Sequence, residues 1–227
     1  GSSANLILIA ALKRRFNWAD DDEILVSPVG FPTTVSVLYQ HRLKPVFVDI
    51  EWNTLNFDLK KLEDKITDKT KGIFVSPVLG NPPDMDKLIE IAEKYNLKLI
   101  GDNCDSLGSK WNDKYLSEYY VAFSNSFYPA HHMTMGEGGA VFMNNPELKV
   151  IAESFRDWGR DCYCAPGCDN TCGCRFEQKH GDLPYGYDHK YVYSHSGYNL
   201  KITDIQAACG LAQLKKLEYF IEKRRSN

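Results

Sequence analysis

Short apolar runs and longer amphipathic ones alternate through the first half of the chain: EILVSP, TTVSVLYQHR, PVFVDI, FDLKKLEDKI, GIFVSPV, DMDKLIEIAEKY and LKLIGD. Short continuous apolar runs suit strands covered on both faces, whereas apolar positions three and four apart suit helices. Their alternation predicts βαβ units feeding a largely parallel sheet. Each strand ends in a loop containing Pro, Gly, Asn or Asp, at the sheet edge where such folds hold ligands. A further run, YVAFSNSF, rises to a Pro-containing turn and ends in Gly-Glu-Gly-Gly before the strand-like AVFM.

From Arg160 to about His189 the pattern gives way to Cys, Gly, Asp and Pro without usable period, an irregular loop held by something other than a core. TDIQAACGLAQLKKLEYFIEKR then reads as one long amphipathic helix, with Thr203 as N-cap and Cys209 as a small core residue. The basic end KKLEYFIEKRRSN suits a solvated helix face.

With 227 residues, 43% of them hydrophobic, the chain can bury a sizeable core. A formal net charge of -3 gives no broad electrostatic reason to bind nucleic acid or an anionic membrane. No run approaches the ~20 apolar residues that span a bilayer, and no signal peptide is visible; the expected location is cytoplasmic. The chain opens without Met and stops among helix charges, as a piece of a longer protein would.

Three places invite chemistry. GSSANLILIAAL sets a Gly and two hydroxyls before a helical run, where unpaired N–H groups meet an anion; an ordinary Ser N-cap reads the same way. In LKLIGDNCDS the strand ends on Asp102, a carboxylate that would pair with a protonated pyridine or simply shape a turn. Phe31, in VGFPTT, is placed to stack on a flat ring or merely to pack.

Taken in order, GSSANL, PVGFPTT, KPVFVDI, GDNCDS, SFYPAHHMTMGEGG and GYNLKITDIQAA resemble the DegT-type sugar-nucleotide aminotransferase family. The resemblance covers almost the whole chain. It implies the α/β, aspartate aminotransferase-like (fold type I) large domain, a mostly parallel mixed sheet flanked by helices. The expected division is a cofactor-binding large domain over 1–159, an irregular Cys-rich loop over 160–190, and a dimer-contact loop with the start of a long helix over 191–227. A smaller C-terminal domain is expected beyond it. The resemblance assigns pyridoxal or pyridoxamine 5'-phosphate to Ser2, Ser3, Phe31, Asp102, Asp105, Ser126 and Asn199. Asn199 would reach the cofactor phosphate of a neighbouring subunit, giving a homodimer with shared active sites.

In that family the loop resembling SFYPAHH ends in a lysine that bonds the cofactor covalently. Here His131 stands in its place, with His132 as the competing base. Imidazole cannot form the covalent link but does move protons near neutral pH. The exchange therefore keeps a base and deletes the tether, which favours dehydration over transamination. Within the family, the histidine branch comprises 4-keto-6-deoxy sugar-nucleotide 3-dehydratases.

Five of the seven cysteines, Cys162, Cys164, Cys168, Cys172 and Cys174, crowd into DCYCAPGCDNTCGCRF. Such crowding means metal or disulfides, and the absence of paired C-x-x-C knuckles argues against ordinary structural zinc. The resemblance to CDP-linked 3-dehydrases of the histidine branch implies a [2Fe–2S] cluster on Cys104, Cys162, Cys164 and Cys172. These are separated by 57, 1 and 7 residues, leaving Cys168 and Cys174 spare and Cys174 an alternative closing ligand. The implied function is 3-dehydration of a CDP-4-keto-6-deoxyhexose for lipopolysaccharide or glycan 3-deoxy sugars. An NADH-dependent flavin/iron–sulfur reductase would be the electron donor. The alternatives are a cluster-free dehydratase of GDP-4-keto-6-deoxymannose, an aminotransferase homologue, or a non-catalytic metal-binding relative.

Overall fold

A computed structural model describes residues 1–164 and 167–227; the expected loop over 160–190 thus includes two positions outside the described residues. Two compact units emerge, 1–144 with 202–227, and 145–201.

The first unit is built on a six-stranded sheet. In chain order its strands are β1 (Glu23–Val26), β2 (Lys44–Phe47), β3 (Thr70–Val75), β4 (Lys98–Asp102), β7 (Ala122–Ser126) and β8 (Gly139–Met143). A two-residue pair, β5 (Lys110–Trp111) and β6 (Lys114–Tyr115), forms a separate hairpin. The spatial order is β2-β1-β3-β4-β7-β8, with only the β7–β8 pair antiparallel. This is the mostly parallel mixed sheet that the apolar runs predict. Ile24, Leu25 and Val26 are buried along with Ile73, Phe74 and Val75, as central strands covered on both faces require.

The helices of this unit are α1 (Ser2–Arg15), α2 (Pro32–Gln40), α3 (Leu59–Leu62), α4 (Met85–Lys94), α6 (Asp204–Leu214) and α7 (Leu217–Ser226); α5 (Pro146–Arg156) belongs to the second unit. In α4 the buried Met85, Leu88, Ile91 and Ala92 form one stripe, packed in a core with Leu25, Ile73 and Leu99. Asp84 caps it by accepting from the Lys87 N–H at 3.0 Å. Asn96, at φ 52°, ends it with a paired closure, Leu97 N–H to Ala92 at 2.8 Å and Asn96 N–H to Glu93 at 3.2 Å. Asp84→Ala is expected to lower stability by about 1 kcal/mol, read as a shifted denaturant midpoint with unchanged slope.

Three local expectations change. FDLKKLEDKI yields a single helical turn, α3, followed by a 3-10 turn over Glu63–Lys65. The long terminal helix is two helices that break at Lys215–Lys216, although no Gly or Pro stands there. Beyond the break, Ile221 comes near Gly108 and Arg224 reaches the carbonyls of His131 and His132. Cys209 is exposed; Gly210 is the buried member of α6, where a Cβ would press to 2.9 Å on the Met135 side chain. Thr203 caps α6 as expected, in a reciprocal box with Gln206.

The second unit holds α5, capped by Asn145 with Pro146 in the first turn, and a 3-10 turn over His189–Tyr191. Isolated antiparallel bridges, Asp157 with Asn199 and Arg160 with Tyr193, close the neck of the Cys-rich excursion. Gly159 makes that neck possible: at φ +84° a Cβ would lie 1.8 Å from the His195 carbonyl oxygen. Among the described residues no helix is long and apolar enough to cross a membrane.

Candidate functional site

The carboxyl edge of the sheet in the first unit gathers most of the cofactor residues expected from sequence. Asp102 ends β4 and is 4% exposed. Its carboxylate accepts from the Asn5 amide at 2.7 Å, the Thr34 hydroxyl at 2.7 Å and the Cys104 N–H at 3.3 Å. All three donors are neutral, and among the described residues no salt bridge reaches Asp102. A carboxylate buried in this way is costly until a cation joins it. Ser124 on β7 completes the support, donating to Asn5 Oδ1 at 2.5 Å.

Thr34 also lines a cleft with Ser27, Gly30, Phe31 and Ser76, and the Phe31 ring, 69% exposed, stands at its mouth. An exposed aromatic beside a buried anion suits a flat cationic ring. The start of α1 comes close on another side, where a Cβ on Gly1 would lie 3.0 Å from Cys104 Sγ and 3.2 Å from Ser126 Oγ. The N-cap position belongs to Gly1, not to a serine; Ser2 and Ser3 are exposed in the first helical turn. Ser126, buried, accepts from the Tyr128 N–H at 3.2 Å. Hydroxyls and free N–H groups of that kind suit a phosphate.

The loop from β7 to β8 carries the two histidines. His131 Nδ1 lies 3.3 Å from Asp105 Oδ1, and Tyr128 stands edge-on to its ring. A carboxylate only accepts, so a neutral His131 that engages Asp105 does so with its proton on Nδ1, and Nε2 is then the basic nitrogen. His132 has a buried Nδ1 without a hydrogen-bond partner. Burial first, then the Arg224 charge, push its pKa below the usual histidine value. The guanidinium of Arg224 donates to the His131 carbonyl at 3.3 Å and to that of His132 at 3.4 Å, tying the loop to α7.

These residues fit pyridoxal or pyridoxamine phosphate. Among the described residues no side-chain cation pairs with the buried Asp102, the cleft carries an aromatic, and the loop sets His131 against Asp105.

In the second unit Cys162, Cys164 and His189 offer ligand atoms within 4.8 Å of one another. Cys172 Sγ lies 3.5 Å from His189 Nε2. Hydrogen bonds from Thr171 and the Cys172 backbone lower the Cys164 thiol pKa to about 7, which favours the thiolate that metals require. Cys174 sits beside this group, its sulfur 3.1 Å from Gln178 Nε2, while Cys168 is exposed. All seven cysteines are free thiols. Clustered, unbridged sulfurs are donors suited to a thiophilic metal centre. Cys104 belongs to the first unit, where burial and then the charge of Asp102 push its thiol pKa upward, so a metal would have to displace that proton. Asn199 is exposed and accepts from Lys201 at 2.8 Å.

Sequence reading missed Asn5, Thr34, Ser124, Arg224 and His189. Asn5 alone left a trace, as a polar position inside an apolar helical run.

The sequence pattern described as the DegT/DnrJ/EryC1/StrS aminotransferase family matches residues 1–227. The lipopolysaccharide biosynthesis protein RfbH of Salmonella typhimurium is 54% identical over 233 residues, covering 100% of this chain and 53% of that protein. The dTDP-4-dehydro-2,6-dideoxy-D-glucose 3-dehydratase of Saccharopolyspora spinosa is 46% identical over 231 residues, covering 100% of this chain and 50% of that protein. The solved structure of the E. coli GDP-4-keto-6-deoxy-D-mannose-3-dehydratase with bound hydrated PLP superposes with a TM-score of 0.84 at 32% identity, covering 100% of this chain and 57% of that one. The chain spans about half the length of the curated relatives it matches.

Proposed function

Because this chain belongs to the DegT/DnrJ/EryC1/StrS aminotransferase family, we propose that the protein carrying it is a pyridoxamine phosphate-dependent 3-dehydratase of a nucleotide-linked 4-keto-6-deoxyhexose. The observation that carries this reading is His131, backed by Asp105, on the loop where a covalent lysine stands in aminotransferases. Relatives described as 3-dehydratases support it.

Bound pyridoxamine phosphate supplies an amine that condenses with a sugar ketone and a ring that withdraws electrons. Asp102, which accepts from the neutral side chains of Asn5 and Thr34, would balance the ring's positive nitrogen. Phe31 covers the ring, and Ser2, Ser3 and Ser126 hold the phosphate. His131 takes a proton through Nε2 at the cofactor's 4′ carbon while Asp105 holds the opposite nitrogen. Asn199 reaches toward a second subunit's cofactor phosphate in a homodimer.

On sequence spacing, Cys104 joins Cys162, Cys164 and Cys172 around a [2Fe–2S] cluster, which supplies single electrons from an NADH-dependent flavin/iron–sulfur reductase. The proposed substrate is CDP-linked, the location cytoplasmic and the product a 3-deoxy sugar for lipopolysaccharide.

Protein purified without oxygen is expected to be brown and to hold iron and sulfide in equal amounts. A colourless sample carrying zinc alone removes the cluster from this reading. Borohydride treatment of cofactor-loaded protein is expected to leave the chain unmodified, and a recovered pyridoxyl-peptide overturns the untethered cofactor. Turnover of the CDP-linked ketone above its GDP- and dTDP-linked counterparts checks the nucleotide.

A further inference from the structure

His189 is a polar side chain buried to 2% exposure in a segment with few regular elements. The His180 ring lies nearly parallel to it, with centroids 6.5 Å apart, and Tyr163 meets it edge-on at 6.4 Å. Its backbone is held from the side. Arg175 grips Asp188 with two hydrogen bonds, 2.9 and 2.7 Å, and the Asp188 carboxylate caps the 3-10 turn that begins at His189.

The two ring nitrogens face different chemistry. Nδ1 lies 3.4 Å from Gln178 Nε2, and that same amide nitrogen donates to the Cys174 carbonyl oxygen at 3.2 Å and to the Cys174 sulfur at 3.1 Å. The carbonyl fixes which end of the amide points inward, because an amide oxygen there would face another acceptor. A donor nitrogen facing Nδ1 favours Nδ1 as the accepting nitrogen, which assigns the ring proton to Nε2. That Nε2 lies 3.5 Å from Cys172 Sγ.

We propose that His189 is a positioning residue that donates its Nε2–H to the sulfur of Cys172 and thereby raises the reduction potential of the iron–sulfur cluster. The proposal rests on the cluster reading above. A ring nitrogen close to Cys162 and Cys164 would otherwise suggest a fourth metal ligand. The Gln178 contact argues against this, since a ligating Nε2 must surrender its proton to Nδ1, which faces an N–H donor. A donor to a cluster sulfur stabilises the reduced state, which carries more negative charge.

The test uses the cluster-loaded protein. His189→Leu is expected to retain iron and sulfide while shifting the reduction equilibrium about tenfold against the reduced form, equal to about 59 mV for one electron. His189→Gln, which keeps an N–H near the sulfur, is expected to recover part of the shift. Pulsed paramagnetic resonance of the reduced wild-type protein labelled with 15N-histidine is expected to show a weak nitrogen coupling and an exchangeable proton.

An unchanged potential in a fully loaded His189→Leu overturns the proposal alone. If that variant does not fold or load, the wild-type spectrum decides: a strong coupling makes His189 a ligand and overturns the proposal. Wild-type protein with no iron–sulfur signal overturns both this proposal and the cluster.

Discussion

His131→Asn is expected to lower dehydratase turnover by about 10²- to 10⁴-fold, the contribution of a well-placed proton-transfer group. Asparagine fills similar space and keeps a polar tip, but it has no basic nitrogen at the Nε2 position. The groups assigned to hold the cofactor, Asp102, Phe31 and Ser126, are elsewhere on the sheet edge, so cofactor absorbance after gel filtration should match that of the unmodified protein. Rate and retention measured on the same sample separate the two roles. Full activity in the variant would move the base elsewhere, and His132 would be next in line. Its environment makes it a poorer choice, because its Nδ1 is buried without a partner, and burial and the Arg224 charge hold its pKa below the usual histidine value.

Asp102→Asn is expected to weaken pyridoxal phosphate binding on the order of 10²- to 10³-fold, while the cofactor-free protein, in which the amide nitrogen replaces one accepting oxygen, loses only about 1–3 kcal/mol. The two losses differ in kind. The carboxylate accepts from neutral side-chain donors in the empty protein and gains a full ion pair only beside the cofactor's positive ring nitrogen. Removing one member of a buried ion pair costs about 3–5 kcal/mol, and here that loss falls on the bound state alone. Titration of the cofactor by fluorescence, paired with thermal unfolding with and without it, measures both. A variant that binds normally would mean that Asp102 faces no cation.

The sheet was legible because its central strands are covered on both faces and so appear as continuous apolar runs. The positions of Asp102, Phe31 and Ser126 followed, since each lies just at or beyond a strand end. The supports of Asp102 were not legible. Asn5, 97 residues away, and Thr34, 68 residues away, are chosen by tertiary packing that no local pattern encodes. The break between α6 and α7 was hidden for the same reason, because Lys215 and Lys216 are good helix formers. In the Cys-rich segment the sulfurs announced themselves by composition. His189, whose neighbours are set by the fold of an irregular loop, did not.

The amide of Asn5 bridges Asp102 on β4 and, across 119 residues, Ser124 on β7. During synthesis α1 leaves the ribosome long before either partner exists. Through that interval Leu8, Ile9 and Leu12, fully covered in the finished protein, have no sheet to rest on. The helix is thus made well before the strands that cover it, and its apolar face is a natural client of a chaperone on the nascent chain.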